Sequence, residues 1–216
     1  EESGLWLGIV AIAELGPAVV LAPFAGAIAD RIDRLRGIRS TQALALLQAV
    51  ALATVTYLGL ASITWLIVLA FVRGVIMAFN QPFRFAVLPS LVVRKDLPAA
   101  IAINSLSFNI ARILGPAVAA MLIAQWGVAT AFTVNALTFL AFIAALFAIK
   151  LENPFKAVPR PLSNIPFEIL EGMRYCVRMP GIAQMFFLMA VVAMCGRAYV
   201  ELMPGFADDV FGRGVD

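Results

Sequence analysis

The chain has 216 residues, of which 62% are hydrophobic and 13% charged, with a mean hydropathy of +0.96. A soluble domain carries about a quarter charged residues and under half apolar ones, so a soluble enzyme or nucleic-acid binder is excluded and the chain reads as a membrane protein. It contains 0 His and 2 Cys and has no Gly-rich loop ending in Lys-Ser or Lys-Thr. These absences remove imidazole metal sites, His-activated nucleophiles and a phosphate cradle, so no cofactor and no metal is expected.

Taken in chain order, the first apolar stretch runs from Leu5 to Ala29 with Glu14 as its one charge. Ser40 to Val72 holds no charge, and as one helix it would be roughly 50 Å long at about 1.5 Å per residue. The hydrocarbon core is about 30 Å thick, so the chain must turn, with Gly59-Leu60-Ala61-Ser62-Ile63-Thr64 as the expected place. Ile113 to Ile149 meets the same limit and is expected to break at Gln125-Trp126-Gly127. A last span starts near Gly181 and ends near Met203. Six membrane helices are therefore predicted, at about 5–29, 40–60, 64–88, 99–124, 128–149 and 180–203.

Of the 16 basic residues, twelve fall in alternate connections: Arg31, Arg34, Arg36 and Arg39; Arg84, Arg94 and Lys95; Lys150, Lys156, Arg160, Arg174 and Arg178. The other connections and the two ends hold only Arg213. This bias places the basic loops in the cytoplasm and both ends outside. The pI of 9.2 is then an insertion signal, and nucleic acid is discounted as a partner. The connection from Lys150 to Pro180 is long and basic, is stiffened by Pro154, Pro159, Pro161 and Pro166, and holds a candidate surface helix over Phe167–Tyr175. The expected organisation is a helical bundle over 1–149, a cytoplasmic linker over 150–179, and over 180–216 the first helix of a second bundle with the start of the next loop. With no initiator Met and a polar stop at Val215-Asp216, the chain reads as a fragment. One internal echo, Leu15-Gly16-Pro17-Ala18-Val19 against Leu114-Gly115-Pro116-Ala117-Val118, falls on spans of opposite direction, as inverted repeats require.

Charges within spans cost roughly 2.5–3.5 kcal/mol on insertion scales and are functional candidates by default. They are Glu14, Arg73 and Arg112 near mid-span, and Arg197 and Glu201 one turn apart near an outer end, where they can pair. Glu14, the one acid near a midplane, is the first choice for a proton-coupling group. Gln48, Asn80, Gln81, Asn104, Asn109 and Asn135 can line the same cavity or serve as helix-to-helix glue. Ala102, Ala111, Gly115, Ala119 and Ala120 permit close helix approach, and Pro17, Pro23, Pro82 and Pro116 can bend their helices.

The first cytoplasmic loop reads Gly26-Ala27-Ile28-Ala29-Asp30-Arg31-Ile32-Asp33-Arg34-Leu35-Arg36. It resembles the loop between the second and third helices of the major facilitator superfamily, with Asp33 in place of that motif's second Gly and Leu35 in place of an Arg. The Asp-Arg-x-Asp-Arg form resembles the enterobactin-exporter and macrolide-efflux branch. Arg73-Gly74 with Asn80-Gln81-Pro82 is similar to that branch's fourth helix, and Leu88-Pro89-Ser90-Leu91-Val92 to the loop that follows. Leu97-Pro98-Ala99-Ala100, Asn104-Ser105 and Asn109-Ile110-Ala111-Arg112, ending in Gly115-Pro116, are similar to its fifth. The superfamily's exporters carry extra glycines beside Gly115-Pro116 where Ala111, Ala119 and Ala120 stand here.

The resemblance implies an all-α polytopic membrane protein of the major facilitator type, in which six transmembrane helices of an expected twelve are present, namely helices two to seven. It implies a secondary active transporter of the bacterial cytoplasmic membrane, working as a monomer by alternating access. Such a protein exports a small organic molecule of the drug, macrolide or siderophore class by proton antiport. An importer or a solute sensor on the same fold is the alternative. Its partners are a small-molecule substrate, protons and the lipid bilayer. On this reading Glu14, Arg73, Asn104, Asn109, Arg112 and Asn135 line the coupling cavity. Gly26, Asp30, Arg31, Asp33 and Arg34 form the cytoplasmic loop motif, with Asp30, Arg31 and Arg34 in a latch between the two halves. Gly115 and Pro116 serve packing or hinge motion.

Overall fold

The structure, a computed structural model, describes residues 2–149, 164–193 and 195. Its helices are α1 (Glu2–Ala29), α2 (Arg34–Tyr57), α3 (Ile63–Leu91), α4 (Leu97–Trp126), α5 (Val128–Ala148), α6 (Ile165–Arg178) and α7 (Pro180–Ala193), with a short 3-10 turn at Arg94–Asp96 before α4. Among the described residues there is no strand. In a bilayer each backbone amide must be satisfied within its own segment, and a helix does this. The helices α1 to α5 are long and apolar enough to cross a membrane. The expected sixth span, over 180–203, is described only in part, as α7, and Arg197 and Glu201 lie outside the described residues.

The expected turns form where glycine permits them. At the end of α2 the Leu60 N–H reaches the Val55 carbonyl at 3.0 Å and the Gly59 N–H reaches Thr56 at 3.2 Å, with Gly59 at φ +69. That is a Schellman ending, and the left-handed residue it requires is cheapest as glycine. Gly127, at φ +82, separates α4 from α5. Ser62 then starts α3 by accepting from the Trp65 N–H at 3.4 Å.

α2 begins earlier than the charge pattern predicts. It was expected near Ser40, yet the helix starts at Arg34 because the Asp33 carboxylate caps it, accepting from the Arg36 N–H at 2.8 Å. Arg34, Arg36 and Arg39 therefore project from a helix, a conformation with fixed reach.

The described residues fall into two compact units, one drawn from residues 5–161 and the other from the remainder. In the first, α2 is central, packed on α3 and on α5, and α4 leans on α5. Its apolar core lies toward the helix ends that carry the basic loops, where Ala29, Ile38, Phe83, Val87 and Leu146 bring α1, α2, α3 and α5 together. Close approach is set at two glycines. A Cβ on Gly37 would clash with the Phe83 ring, and one on Gly74 would clash with the Glu14 carbonyl. α4 has no buried residue along its 30 residues. In the second unit the expected surface helix is α6, four-turn and amphipathic, meeting α7 at a bend of 99°. Phe167, Leu170 and Met173 line one exposed apolar side and Glu168, Glu171 and Arg174 are interleaved with them, the pattern of a helix lying in a membrane interface.

Candidate functional site

The centre of the first unit carries one ion pair. Glu14 sits midway along α1 and Arg73 ten residues into α3, and Arg73 Nε lies 3.3 Å from Glu14 Oε1. Gly74 makes this geometry possible: without a side chain there, α3 lies directly against the α1 backbone at Glu14, so the neighbouring side chains meet. The pair is not sealed inside the bundle. The side chains of Arg73 and Glu14 keep 52% and 38% of their surface exposed. Charges at this depth are costly and are therefore kept for ion or substrate pathways.

A second polar assembly occupies the helix ends that carry the basic loops. The odd-numbered helices α1, α3 and α5 all finish on the side that carries the basic loops, leaving carbonyls with no intrahelical partner and the negative end of the helix dipole. Arginines from one short stretch meet all three. Arg31 donates to the Ala27 carbonyl at the end of α1. Arg34 donates to the Ala86 carbonyl at 3.0 Å and to Ser90 Oγ at 2.8 Å, in the last turns of α3. Arg39 donates to the Leu146 carbonyl at 2.7 Å and lies over the Phe147 ring at 4.6 Å, at the end of α5. The loop motif thus gathers the helix ends of its own bundle, with Asp33 setting the register of α2 and Asp30 exposed at the turn.

The remaining predicted residues separate. Asn104 is half-buried on α4, in a cavity with Gln42 and Arg84. Asn109 returns its amide to the Ser105 carbonyl of its own helix at 2.8 Å. Arg112 and Asn135 are exposed. Of the polar residues expected to line a cavity, Asn80 is buried glue, its amide donating to Thr41 Oγ1 at 2.9 Å. Gln48 likewise ties α2 to the Leu69 carbonyl of α3 at 3.2 Å. A Cβ on Gly26 or Gly115 would meet nothing within 4 Å, so among the described residues the close glycine contacts are at Gly37 and Gly74 instead. Sequence reasoning passed over Thr41 and Gln42 as ordinary members of an apolar run and took Arg84 for a loop charge. The signal available was their position: all three lie inside helices, seven or eight residues from the end that carries the basic loops.

Among the described residues no cluster of acidic or Cys side chains could hold a metal ion. Comparison with known proteins gives a family profile described as transmembrane secretion effector, which matches residues 1–214. The chain is 31% identical over 211 residues to the staphyloferrin A transporter of Staphylococcus aureus, a match covering 97% of this chain and 52% of that protein. It is 26% identical over 168 residues to the uncharacterized MFS-type transporter YfiS of Bacillus subtilis, covering 76% of this chain and 39% of that protein. The chain thus spans about half the length, or less, of the curated relatives it matches. No solved structure matches it.

Proposed function

This chain belongs to the transmembrane secretion effector family of major facilitator transporters, and from that premise we propose that it is part of a proton-coupled exporter of a small organic molecule. The observation that carries the reading is the mid-span pair of Glu14 with Arg73. A proton taken up on the Glu14 carboxylate releases Arg73. A hydrogen-donating group of the substrate that occupies the same carboxylate competes with the proton, and that competition is antiport. Coupling follows when the paired and released arrangements are stabilised differently in the inward-open and outward-open states.

The arginine clasp supports the second element of the reading. Asp30, exposed beside three arginine-bound helix ends, would contact a second bundle, with Arg31 and Arg34 holding the first bundle behind it. Gly115, Pro116 and Arg112 on the exposed α4 would face that second bundle. Asn109 and Asn135 would line the cavity between them. The protein acts as a monomer. The staphyloferrin A transporter among its relatives supports a siderophore-class substrate over a macrolide.

The test uses the full-length protein in inside-out vesicles with an imposed acid-inside gradient, assayed against a panel of siderophores, macrolides and amphipathic drugs. Accumulation of a compound that collapses with a protonophore is expected. Glu14→Gln should abolish it at normal expression. Unchanged accumulation by Glu14→Gln removes Glu14 from coupling, and uptake seen only in right-side-out vesicles replaces export by import.

A further inference from the structure

Away from the Glu14–Arg73 pair, a cavity of about 330 Å³ opens between α2, α3, α4 and α5 near their cytoplasmic ends. Most of its wall is apolar, formed by residues such as Ile38, Val87, Phe142 and Leu146. Three polar side chains interrupt that wall: Gln42, Arg84 and Asn104. Gln42 is 7% exposed, and its Oε1 is buried without a hydrogen-bond partner. Asn104 makes no hydrogen bond among the described residues, and Arg84 has no carboxylate partner there, only the Phe108 ring with its centroid 5.8 Å away.

A buried amide oxygen left unpaired costs roughly 1–3 kcal/mol. The same bundle satisfies Gln48, Asn80 and Thr41 with partners on neighbouring helices or on their own, so the buried, unpaired Gln42 Oε1 needs another explanation, and the half-buried Asn104 and exposed Arg84 beside it offer further polar groups to whatever fills the cavity. We propose that the cavity is a binding site for a small amphipathic anion that carries a hydrogen-bond donor beside its charge. The acidic group pairs with Arg84, the donor serves Gln42 Oε1, Asn104 offers both a donor and an acceptor, and the apolar body lies on Ile38 and Leu146.

Size and depth agree with this chemistry. At about 30 Å³ per water the space equals roughly eleven waters, enough for the polar end and a short chain of such a molecule. Arg84 lies seven residues before Leu91, about 10 Å along the helix at 1.5 Å per residue, within reach of the inner-leaflet headgroup region. The ligand can come from the cytoplasm as a free hydroxy acid or from the membrane as an anionic headgroup with free hydroxyls. Both present the same groups to the same side chains.

Isothermal titration on the full-length protein in nonionic detergent tests the proposal with 3-hydroxydecanoate, decanoate and phosphatidylglycerol as probes. Saturable binding of 3-hydroxydecanoate or phosphatidylglycerol is expected. Arg84→Gln should weaken it at least about tenfold, the scale of a lost charge-assisted hydrogen bond. Gln42→Leu should erase the preference for 3-hydroxydecanoate over decanoate, or weaken phosphatidylglycerol if only the lipid binds. This variant replaces an unpartnered amide by an apolar group of similar size, so it should fold even where Arg84→Gln does not. Displacement of 3-hydroxydecanoate by phosphatidylglycerol, or binding of the lipid alone, identifies the lipid as the source. Binding of the hydroxy acid alone identifies a free anion. No saturable binding of either probe, or binding indifferent to both substitutions, overturns the proposal and leaves a water-filled pocket.

Discussion

Gly74 is the position at which a single methyl group should separate packing from chemistry. A Cβ added there would stand 2.9 Å from the Glu14 carbonyl carbon and 3.2 Å from its Cα, and closer still to the carbonyl oxygen. Those atoms are backbone, so no side chain can swing aside. Restoring ordinary contact, at about 3.5 Å or more, requires α1 and α3 to part by well over ~1 Å. The Arg73 Nε to Glu14 Oε1 separation of 3.3 Å would then exceed the range of a direct hydrogen bond. Overpacking of this kind costs about 1–3 kcal/mol, and 2 kcal/mol is roughly thirtyfold in an equilibrium constant. Gly74→Ala in the full-length protein should therefore lower the thermal unfolding midpoint by a few degrees. It should also cut proton-driven efflux by an order of magnitude or more. Glu14→Gln should cut efflux while leaving the midpoint near wild type, since it removes the charge without moving the helices. A Gly74→Ala protein with both midpoint and efflux unchanged would refute the claim that this contact holds the pair in register.

Other substitutions test the clasp and the glue. Arg34→Ala deletes bonds to Ala86 and Ser90 and should destabilise the bundle by about 1.5–3 kcal/mol, read as an earlier denaturation midpoint, with Arg34→Lys recovering part of it. Asp33→Ala removes the cap of α2 and should cost about 0.5–2 kcal/mol; an unchanged midpoint would show that the arginines alone fix where α2 begins. Asn80→Ala breaks the bond to Thr41, and hydrogen bonds between membrane helices average about 0.6 kcal/mol with a maximum near 1.7, so a small loss of stability with normal efflux is expected. A complete loss of efflux would instead place Asn80 on the transport path.

Helix number, the turns at Gly59 and Gly127 and the family were legible because each rests on local physics. A charge-free run longer than a bilayer is thick must reverse, and glycine marks the cheapest place to do so. Glu14 and Arg73 were legible as candidates for the same reason: a charge in hydrocarbon is expensive wherever its partner lies. That they pair was not legible, because the contact joins residues 59 apart and depends on Gly74 admitting the α1 backbone. The loop arginines show the division most clearly. As a count they are read as an orientation signal, with the basic loops expected in the cytoplasm. Their individual partners, the ends of α1, α3 and α5, exist only once the bundle has brought those helix termini to the start of α2.

Composition by itself determined that this chain lives in a membrane, since an excess of apolar surface can be hidden no other way. The placement of its few charges marked where the chain must turn and gave the expectation that the basic loops face the cytoplasm. Tertiary structure alone decided what each polar side chain in the spans does. Asn80 and Asn104 look alike in sequence, both amides in apolar helices, yet one is sealed against Thr41 and the other opens on a cavity with Gln42 and Arg84. Their difference is the direction each side chain takes from its helix and what stands opposite, and that is settled only when the helices pack.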